Sequence, residues 1–584
     1  MMASASPTST IDCDVLVIGS GAGGLSAAVT AAFHGLTVVV VEKAAVCGGA
    51  TAWSGGWMWA PRNPLAKADG VDENIELPRE YLKNRLGENY NPVKVDAMLE
   101  AAPHMVGFFH EKTSLQFVPG TWVADIYGKT PGARTGHRSV APQPINARKI
   151  KKNLRPKLRR QLYETSFLGM GIMAGPDLRA FLFAMRGDAK ALFHSAWRVG
   201  FHLWDLVSHG RGMQLVNGTA LIARLMKSAD ELGVDIRISA PATGLLTEDG
   251  RVTGAVVETA DGELLVHAHR GVVLATGGFP NDVERRKRYF PRTPTGMEHW
   301  TLAPDTTTGD GITLGESVGG HLDENVASPV AYCPVSLVPY RTGRVGVFPH
   351  IMDRGKPGAI GVLKNGKRFV NEANGYHDFV LGMMRSVPQD QPVESWLIAD
   401  HRFQRRYPLG MSKQRPVPTF PYLRSGYLTS GRTIEELAEK CGIDPAGLAE
   451  TIAEFNRNAR AGIDPEFERG ETPFNRYSGD ATVTPNPSLG PIEKAPFYAV
   501  KVLPGSFGTF MGLATDGHSR VLDAQGRPIP GLYAAGTDQG NVMGGHYPAG
   551  GVNIGPAMTF GYLAGRDLAG VETYEDDGTA APPD

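Results

Sequence analysis

A tyrosine inside a glycine-rich turn near the end of the chain is the most reactive feature of the sequence. Residues 544–556 are GGHYPAGGVNIGP, which puts Tyr547, a glycine-rich turn and a predicted helix start next to one another. A phenol and a backbone amide that point at one spot can polarise a carbonyl oxygen. Because so many glycines cost conformational entropy on folding, the turn predicts a binding site for a carbonyl compound.

A nucleotide-binding pattern opens the chain. Residues 12–18 form an apolar run typical of a buried parallel strand, and a GSGAGG run follows at 19–24. Glycines at this spacing allow a tight turn, close approach to a pyrophosphate and close packing of a helix on a strand. A helix is predicted over 25–34 and a second strand over 37–41, and Glu42 then stands where an acid binds ribose hydroxyls. This order of elements predicts a Rossmann-like dinucleotide site.

Three further glycine-rich segments favour FAD over NAD. They lie at 48–56, where small residues would let a ring system lie against the backbone, and at 271–279 and 531–536, after predicted strands. Separated elements that converge on one ligand suit FAD, which is long and buried. The residues predicted to contact it are Gly19, Gly21, Ala22, Gly23, Gly24, Glu42, Lys43, Gly49, Ala50, Thr51, Ser54, Gly55, Gly56, Ala275, Thr276, Gly277, Gly536, Asn553 and Ile554.

Over roughly residues 12–570 the chain resembles the FAD-dependent family of fumarate reductases and 3-ketosteroid dehydrogenases, and most of all the 3-ketosteroid Δ1-dehydrogenases. The segments that carry this resemblance are 48–61, 366–373, 485–492, 520–536 and 555–562. Fumarate reductases place arginines, the natural fork for a dicarboxylate, where this chain has Tyr376 and Tyr547-Pro548. Dicarboxylate reduction is therefore not expected. Some relatives attach their flavin within a segment like 48–56, which holds no histidine here, so we expect non-covalent FAD.

The resemblance implies roles for three tyrosines. Tyr376 would take a proton from the carbon next to a ketone, while Tyr547 and the amide of Gly551 hold the ketone oxygen. A third tyrosine of the ketosteroid branch assists the base, and its place falls on Ile126, with Tyr127 one position later. Either Tyr127 substitutes through a local shift, or the chain lacks this phenol.

The conversion of a ketone to an enone requires particular groups in the site. A proton leaves the α carbon and a hydride leaves the β carbon, so the site needs donors to an enolate oxygen and a flavin to accept the hydride. A free tyrosine with a pKa of about 10 is a poor base at neutral pH. We therefore expect a neighbouring phenol or a positive field to lower the pKa of Tyr376.

The predicted function is FAD-dependent dehydrogenation at a CH–CH bond. The resemblance favours 1,2-dehydrogenation of a 3-ketosteroid, with a hydrophobic ketone as substrate and an electron acceptor that the sequence does not identify. Other interpretations stay open: a desaturase of another bond or of a smaller cyclic ketone, a flavin-dependent alkene reductase, and a flavin-binding protein without turnover.

The separated nucleotide elements predict one discontinuous domain. We expect an α/β fold, with a Rossmann-like FAD-binding domain of GR2 type over 10–284 and 497–570. An α+β substrate and catalytic domain is expected to be inserted over 285–496, with a helix that begins after Thr433. The acidic residues 571–584 are expected to be disordered.

Composition excludes several classes of function. The 584 residues carry 59 Lys and Arg against 60 Asp and Glu, so bulk charge gives no reason to expect nucleic-acid binding. The four cysteines lack metal-ligand spacing and suit a reducing compartment. The first ten residues lack the apolar core of a secretory signal, and no apolar run is long enough for a transmembrane helix. We expect a cytoplasmic protein without a metal.

One region departs from this even charge. Residues 148–160 hold eight cationic side chains and no acid, and 181–204 carries aromatic residues among basic ones. Two interpretations stay open. The region is either a solvated helix followed by a packed aromatic face, or a surface that touches anionic lipid or an oligomer partner. The second would give peripheral membrane contact through 148–204.

Overall fold

The computed structural model describes residues 9–173, 175–184 and 188–578. Its strands, in chain order, are β1 (Ser9–Ile18), β2 (Val38–Glu42), β3 (Met58–Trp59), β4 (Phe117–Pro119), β5 (Ser139–Pro142), β6 (Ile145–Asn146), β7 (Gln214–Leu215), β8 (Asp235–Ile238), β9 (Ala242–Glu248), β10 (Arg251–Thr259), β11 (Gly262–Leu274), β12 (Trp300–Thr301), β13 (Val330–Pro339), β14 (Val345–Pro349), β15 (Ala359–Val362), β16 (Ser395–Ala399), β17 (Thr429–Gly431), β18 (Phe497–Thr509), β19 (Arg520–Leu522) and β20 (Pro528–Ala534). Its α-helices are α1 (Ala22–Phe33), α2 (Pro64–Ala68), α3 (Glu76–Leu86), α4 (Pro92–Lys112), α5 (Pro176–Phe183), α6 (Ala189–His209), α7 (Asn217–Glu231), α8 (Val283–Tyr289), α9 (Asp310–Ser317), α10 (Tyr376–Ser386), α11 (His401–Arg406), α12 (Phe420–Arg424), α13 (Ile434–Cys441), α14 (Pro445–Ala461), α15 (Pro473–Ser478) and α16 (Ile554–Ala569).

The first sheet is built on parallel strands in the order β20-β11-β1-β2-β8. Strand β19 lies antiparallel at one edge, and the β9–β10 hairpin joins β11. Residues 15–18 pair in register with 38–41, and both runs are apolar because helices cover parallel sheets on both faces. Strands from distant parts of the chain therefore form one sheet, as predicted for a discontinuous Rossmann-like α/β fold, and the predicted fold class is confirmed.

Helix α1 packs on α16 through small residues. A Cβ on Gly561 would lie 2.3 Å from the carbonyl oxygen of Gly23, and a Cβ on Gly565 would lie 2.8 Å from that of Ala27. Larger residues at these positions would push the helices apart. The close approach brings the last helix of the chain against the first, so the glycine-rich turn at 544–556 meets the nucleotide motif.

The second sheet belongs mostly to the predicted insertion. Its order is β14-β13-β18-β16-β15, and β12 and β17 also pair with β18. The sequence analysis assigned residues from 497 onward to the FAD-binding domain, but β18 (Phe497–Thr509) lies at the centre of this second sheet. The difference arises because a buried strand carries no sequence signal for which of two sheets it joins.

A buried ion network stabilises the inserted layer. The carboxylate of Glu372 accepts hydrogen bonds from Arg368 at 2.9 and 2.8 Å, from Arg469 at 2.9 Å and from the amide of Gly361 at 3.0 Å. Arg368 also pairs with Asp464 at 2.8 Å. The network joins the loop after α14 and strand β15 to the loop that leads into α10.

The basic segment, 148–160, and the aromatic segment, 181–204, differ from the interpretation as a solvated helix followed by a packed aromatic face. Residues 150–160 form turns and extended chain instead of a helix. On α6 the aromatic residues are exposed, with exposed fractions of 74% for Phe193, 51% for Trp197, 55% for Phe201 and 64% for Trp204. The prediction of a packed aromatic face is therefore wrong for these four residues.

The end of the chain is ordered further than expected. Residues 574–577 form a 3-10 turn, and the buried carboxylate of Asp577 contacts His34 and Arg566. The disorder predicted for 571–584 therefore does not describe 571–578, while 579–584 lie outside the described residues. Within the described part of the chain, every helix is too short or too polar to cross a bilayer.

Candidate active site

A cavity of about 850 Å³ is lined by residues of both sheets. Every residue predicted to contact FAD, except Gly24, lies in its wall. Gly24 instead faces the interior of the first layer, where a Cβ would lie 2.1 Å from the carbonyl oxygen of Gly19 and 3.1 Å from the side chain of Ala275. Its role is therefore close packing of helix on strand, the third function of glycine in this motif.

The cofactor end of the cavity fits a dinucleotide. The start of α1 opens onto the wall beside Gly21, which brings no capping side chain, so the helix end can bind a pyrophosphate. Gly19 has a φ of +112°, and a Cβ there would lie 2.1 Å from the carbonyl oxygen of Ala275, so only glycine fits. The carboxylate of Glu42 is fixed by the amide and hydroxyl of Ser20, at 3.1 and 2.5 Å. This is the arrangement for an acid that binds ribose.

The two tyrosines named from the sequence meet in the wall of the same cavity. The rings of Tyr376 and Tyr547 lie edge to face with centroids 4.8 Å apart, close enough for each phenol to act on the pKa of the other. Tyr547 is only 4% exposed, and the side-chain amide of Asn553 donates to its hydroxyl at 3.3 Å. Distant elements bring them together, because Tyr376 begins α10 and Tyr547 lies in the turn before α16.

Gly551 also lies in this wall, with a backbone shape that requires glycine. Its φ is +98°, and a Cβ would lie 2.7 Å from the amide nitrogen of Trp59. Its carbonyl accepts a hydrogen bond from that amide at 3.1 Å. Within the described part of the chain, no residue accepts a hydrogen bond from the Gly551 amide. That amide remains available to a ligand oxygen.

The surroundings of Tyr376 act on its pKa in opposite directions. Burial raises the pKa well above its usual value, and the nearby Tyr547 raises it further. The guanidinium of Arg354 lowers it, and the N-terminus of α10, where Tyr376 is the first residue, favours a negative charge. Arg354 was missed by the sequence analysis, since an arginine in a short turn carries no local signal of its partner.

Tyr127 does not join this pair. Its hydroxyl donates to Asp378 at 2.6 Å, and the guanidinium of Arg85 lies 3.5 Å from the centre of its ring. These groups line a second cavity of about 540 Å³. Ile126 lies in the buried cluster that contains Tyr547, and both Tyr376 and Tyr127 pack against that cluster. The structure therefore places an apolar residue where the resemblance implied a third phenol.

The remaining wall of the large cavity comes from the inserted layer and from the region before α7. It is mostly apolar, and its polar members include a lysine; representative residues are Phe348, Met352, Lys413, Tyr477 and Phe507, with Leu192 and Val199 of α6. The sequence analysis named none of these residues. Single apolar residues from separate loops share no spacing that could have identified them.

Several known proteins are similar to this chain over most of its length. Residues 14–554 match the model of the FAD binding domain family. The chain is 40% identical to the 4-oxocyclohex-2-ene-1-carboxylate 5-dehydrogenase of Sinomonas cyclohexanicum, over 97% of this chain and 96% of that protein. It is 39% identical to the 3-oxosteroid 1-dehydrogenase of Mycolicibacterium smegmatis, over 95% and 97%.

A solved structure agrees with these matches. The 3-ketosteroid Δ1-dehydrogenase of Sterolibacterium denitrificans, in complex with 1,4-androstadiene-3,17-dione, superposes with a TM-score of 0.88. The two sequences are 33% identical, and the match covers 96% of this chain and 99% of that one. The resemblance stated from the sequence is confirmed, and so is FAD as the cofactor.

Proposed function

This chain belongs to the FAD binding domain family and is an FAD-dependent oxidoreductase of CH–CH bonds, and on that premise we propose that it dehydrogenates a cyclic ketone next to its carbonyl group. The observation that carries the proposal is the contact of Tyr376 with Tyr547 in the wall of the cavity that also holds the cofactor residues. A base and an oxygen-binding phenol beside one flavin site suit removal of a proton and a hydride from neighbouring carbons.

In this proposal Tyr547 and the amide of Gly551 donate hydrogen bonds to the ketone oxygen. Negative charge develops on that oxygen as the α proton leaves, so donors fixed beforehand stabilise the transition state more than the ketone. Burial of Tyr547 strengthens this effect, because water does not compete for the oxygen.

Tyr376 takes the α proton. It must first lose its own proton, which burial opposes, so the positive charge of Arg354 and the start of α10 are needed to stabilise the phenolate. Bound FAD supplies the acceptor for the hydride that leaves the β carbon. The α C–H and β C–H bonds break and a C=C bond forms, so the substrate leaves as an enone.

Two substrate classes follow from the relatives. A 3-ketosteroid dehydrogenated at its 1,2 bond is the first candidate, since the steroid 1-dehydrogenase is 39% identical. A smaller cyclic ketone is the second, supported by the 40% identical dehydrogenase of an oxocyclohexene carboxylate and by the apolar Ile126 where the steroid branch is expected to carry a tyrosine.

Anaerobic mixing of the yellow holoenzyme with a panel of ketones tests the proposal. The panel contains 4-androstene-3,17-dione, 4-oxocyclohexanecarboxylate and cyclohexanone, with succinate as a control that lacks a ketone. We expect a ketone to bleach the flavin absorbance and to yield the corresponding enone, and succinate to leave the absorbance unchanged. A flavin that no cyclic ketone bleaches would contradict dehydrogenation. Bleaching by reductant followed by recolouring with an enone alone would favour the alkene reductase.

We also propose that α6 rests on an anionic membrane surface. One face of the helix lines the large cavity through Leu192 and Val199, while the opposite aromatic face is exposed. The basic segment lies against the same helix, because Arg148 pairs with Asp205 of α6 at 2.9 Å. Exposed aromatic residues beside cationic ones suit the interface of an anionic bilayer, from which a hydrophobic ketone would have a short path to the cavity.

Sedimentation with lipid vesicles tests this contact. The holoenzyme should sediment with phosphatidylglycerol vesicles and much less with phosphatidylcholine vesicles. The double variant Trp197→Ser, Phe201→Ser should lose binding, while Trp122→Ser, which removes a 77% exposed tryptophan outside α6, should keep it. Equal sedimentation of all three proteins would contradict the proposal. A dimer in light scattering that only the α6 variant dissociates would assign the face to a second copy of the chain.

A further inference from the structure

One cationic side chain in the wall of the large cavity has no hydrogen-bond or ion-pair partner among the residues that the structure describes. Lys413 lies in the cavity wall, in the loop between α11 and α12. Lys413 is half-buried, and its ammonium group forms no hydrogen bond or ion pair with any residue that the structure describes. It lies 5.7 Å from the centre of the Phe348 ring, a contact too distant to replace a hydrogen bond. Burying a cation without an anion is costly.

The loop that carries Lys413 is fixed by hydrogen bonds. The side-chain amide of Gln404 donates to the backbone carbonyl of Lys413 at 2.9 Å, and the amide of Met411 donates to the hydroxyl of Tyr427 at 2.7 Å. The amide of Gly410 donates to a carboxylate oxygen of Asp353 at 2.9 Å. The backbone at Lys413 is therefore fixed at the cavity wall by a hydrogen-bonded loop.

The nearby acid, Asp353, forms no ion pair with Lys413: its Oδ2 is engaged by other groups, and its Oδ1 has no hydrogen-bond partner among the described residues. The same oxygen of Asp353 that binds Gly410 also contacts the ring nitrogen Nδ1 of His350 at 2.7 Å. Asp353 raises the pKa of Lys413 while burial lowers it, and burial prevails, with a result of about 8. Lys413 thus remains mostly charged at neutral pH, and an additional anion in the cavity would be favourable.

The charged side chains along the cavity wall also favour an anionic ligand. Lys413, Lys356 and Arg415 all lie in the wall formed by the inserted layer, against one acid, Asp353. The other acids of the cavity, which include Glu42, belong to the cofactor end. The substrate end is therefore positive, although a neutral steroid would need no such charge.

We infer that this end of the cavity binds a carboxylate, and that the substrate is a cyclic ketone with a carboxylate substituent. This inference rests on the proposed function, because it takes the ketone oxygen to lie at Tyr547 and Gly551. The ammonium group of Lys413 would then pair with the carboxylate at the far end of the molecule. Lysine suits this role as a point charge that one carboxylate can satisfy.

The test compares an acid with a neutral analogue of the same ring. Anaerobic flavin reduction is followed at increasing concentrations of 4-oxocyclohexanecarboxylate and of 4-(hydroxymethyl)cyclohexanone, which gives a half-saturating concentration and a limiting rate for each. The wild-type holoenzyme should bind the acid more tightly. Lys413→Met should raise its half-saturating concentration by about 10- to 100-fold, the range of a charged hydrogen bond. The limiting rate and the neutral ketone should change little.

Two further variants make the result specific. Lys413→Arg should restore most of the affinity for the acid. Arg424→Met removes an exposed cation of α12, outside the cavity wall, and it should change the affinity less than about threefold, since an exposed charge is screened by solvent. An equal effect of both methionine variants would assign the preference to the general field and overturn the inference. Equal affinity of the wild type for the acid and the neutral ketone would overturn it as well.

Failure of the proposed dehydrogenation can be distinguished from failure of the carboxylate site. If no ketone bleaches the flavin, dehydrogenation fails, but carboxylate binding can still be measured through the thermal unfolding midpoint of the holoenzyme. A midpoint raised by 4-oxocyclohexanecarboxylate in the wild type and unchanged in Lys413→Met would support the carboxylate site without turnover. An equal rise in both proteins would overturn it.

Discussion

Removal of the Tyr547 hydroxyl is the perturbation whose effect the structure defines best. Tyr547→Phe keeps the ring, which packs in a buried cluster and against Tyr376, so the shape of the wall is retained. It removes the hydrogen bond that the hydroxyl accepts from the Asn553 amide at 3.3 Å. A hydrogen bond at 3.3 Å is a weak one, and the loss of stability should be about 0.5–1.5 kcal/mol.

The loss in catalysis should be larger than the loss in stability. One donor to a developing oxyanion typically contributes about 2.7–4 kcal/mol, or about 10²–10³-fold in rate. The amide of Gly551 remains as the second donor, so the variant should keep measurable activity. Because the interaction strengthens as charge develops, the limiting rate of flavin reduction should fall much more than the affinity for the ketone.

Anaerobic stopped-flow flavin reduction measures both quantities, and Tyr533→Phe provides a matched control. Tyr533 is also buried, and its hydroxyl donates to Asp567 at 2.7 Å, but it lies outside the cavity wall. The control should lose at least as much stability, because its partner is a carboxylate, and should lose no rate. A Tyr547→Phe enzyme that loses FAD or unfolds, while its residual holoenzyme reduces flavin at the wild-type rate, would make Tyr547 a packing residue and refute the reasoning.

Three shorter predictions concern the phenol, the ion network and the cofactor. Tyr127→Phe should reduce flavin within about threefold of the wild-type rate, because the hydroxyl faces Asp378; a loss as large as that of a general base, about 10²-fold or more, would contradict the placement. Burial would raise the pKa of Glu372, but its arginine partners lower it to about 2, below the ordinary value of 4.5. The stability that ionised Glu372 contributes, about 3 kcal/mol, should be present above about pH 4.5 and lost as the pH falls toward 2, so the urea midpoints of wild type and Glu372→Gln should converge in acid; a constant difference would contradict it. Acid precipitation should release FAD into the supernatant, since 48–56 holds no histidine, and yellow colour kept in the pellet would indicate a covalent bond.

Local sequence signals predicted the elements of the fold closely. Strand β1, helix α1 and strand β2 form around the glycine run at 19–24, because turn geometry and apolar periodicity act over a few residues. Thr433 likewise precedes α13 and accepts a hydrogen bond from the amide of Glu436 at 3.1 Å, as an N-cap does. Such interactions are contained within the segment that specifies them.

Features that depend on distant parts of the chain could not be predicted in the same way. The position of Ile126 beside the turn that carries Tyr547 depends on a hydrogen bond from the amide of Ile126 to the carbonyl of Pro548, at 3.0 Å, across more than 400 positions. Arg354 and Lys413 lie in separate loops, and neither has a spacing relation to the tyrosines. The exposed face of α6 was also hidden, because a sequence shows aromatic residues without showing what covers them.

The proton transfer by Tyr376 is the central claim, and one measurement tests it directly. Tyr376→Phe holoenzyme is incubated anaerobically in D₂O with a ketone that reduces the wild-type flavin, and deuterium at the α carbon is followed by NMR beside the flavin absorbance. The account predicts that the variant retains FAD and ketone binding while flavin reduction and α exchange both fall by about 10²–10⁴-fold. A variant that retains more than about a tenth of either rate would contradict Tyr376 as the base.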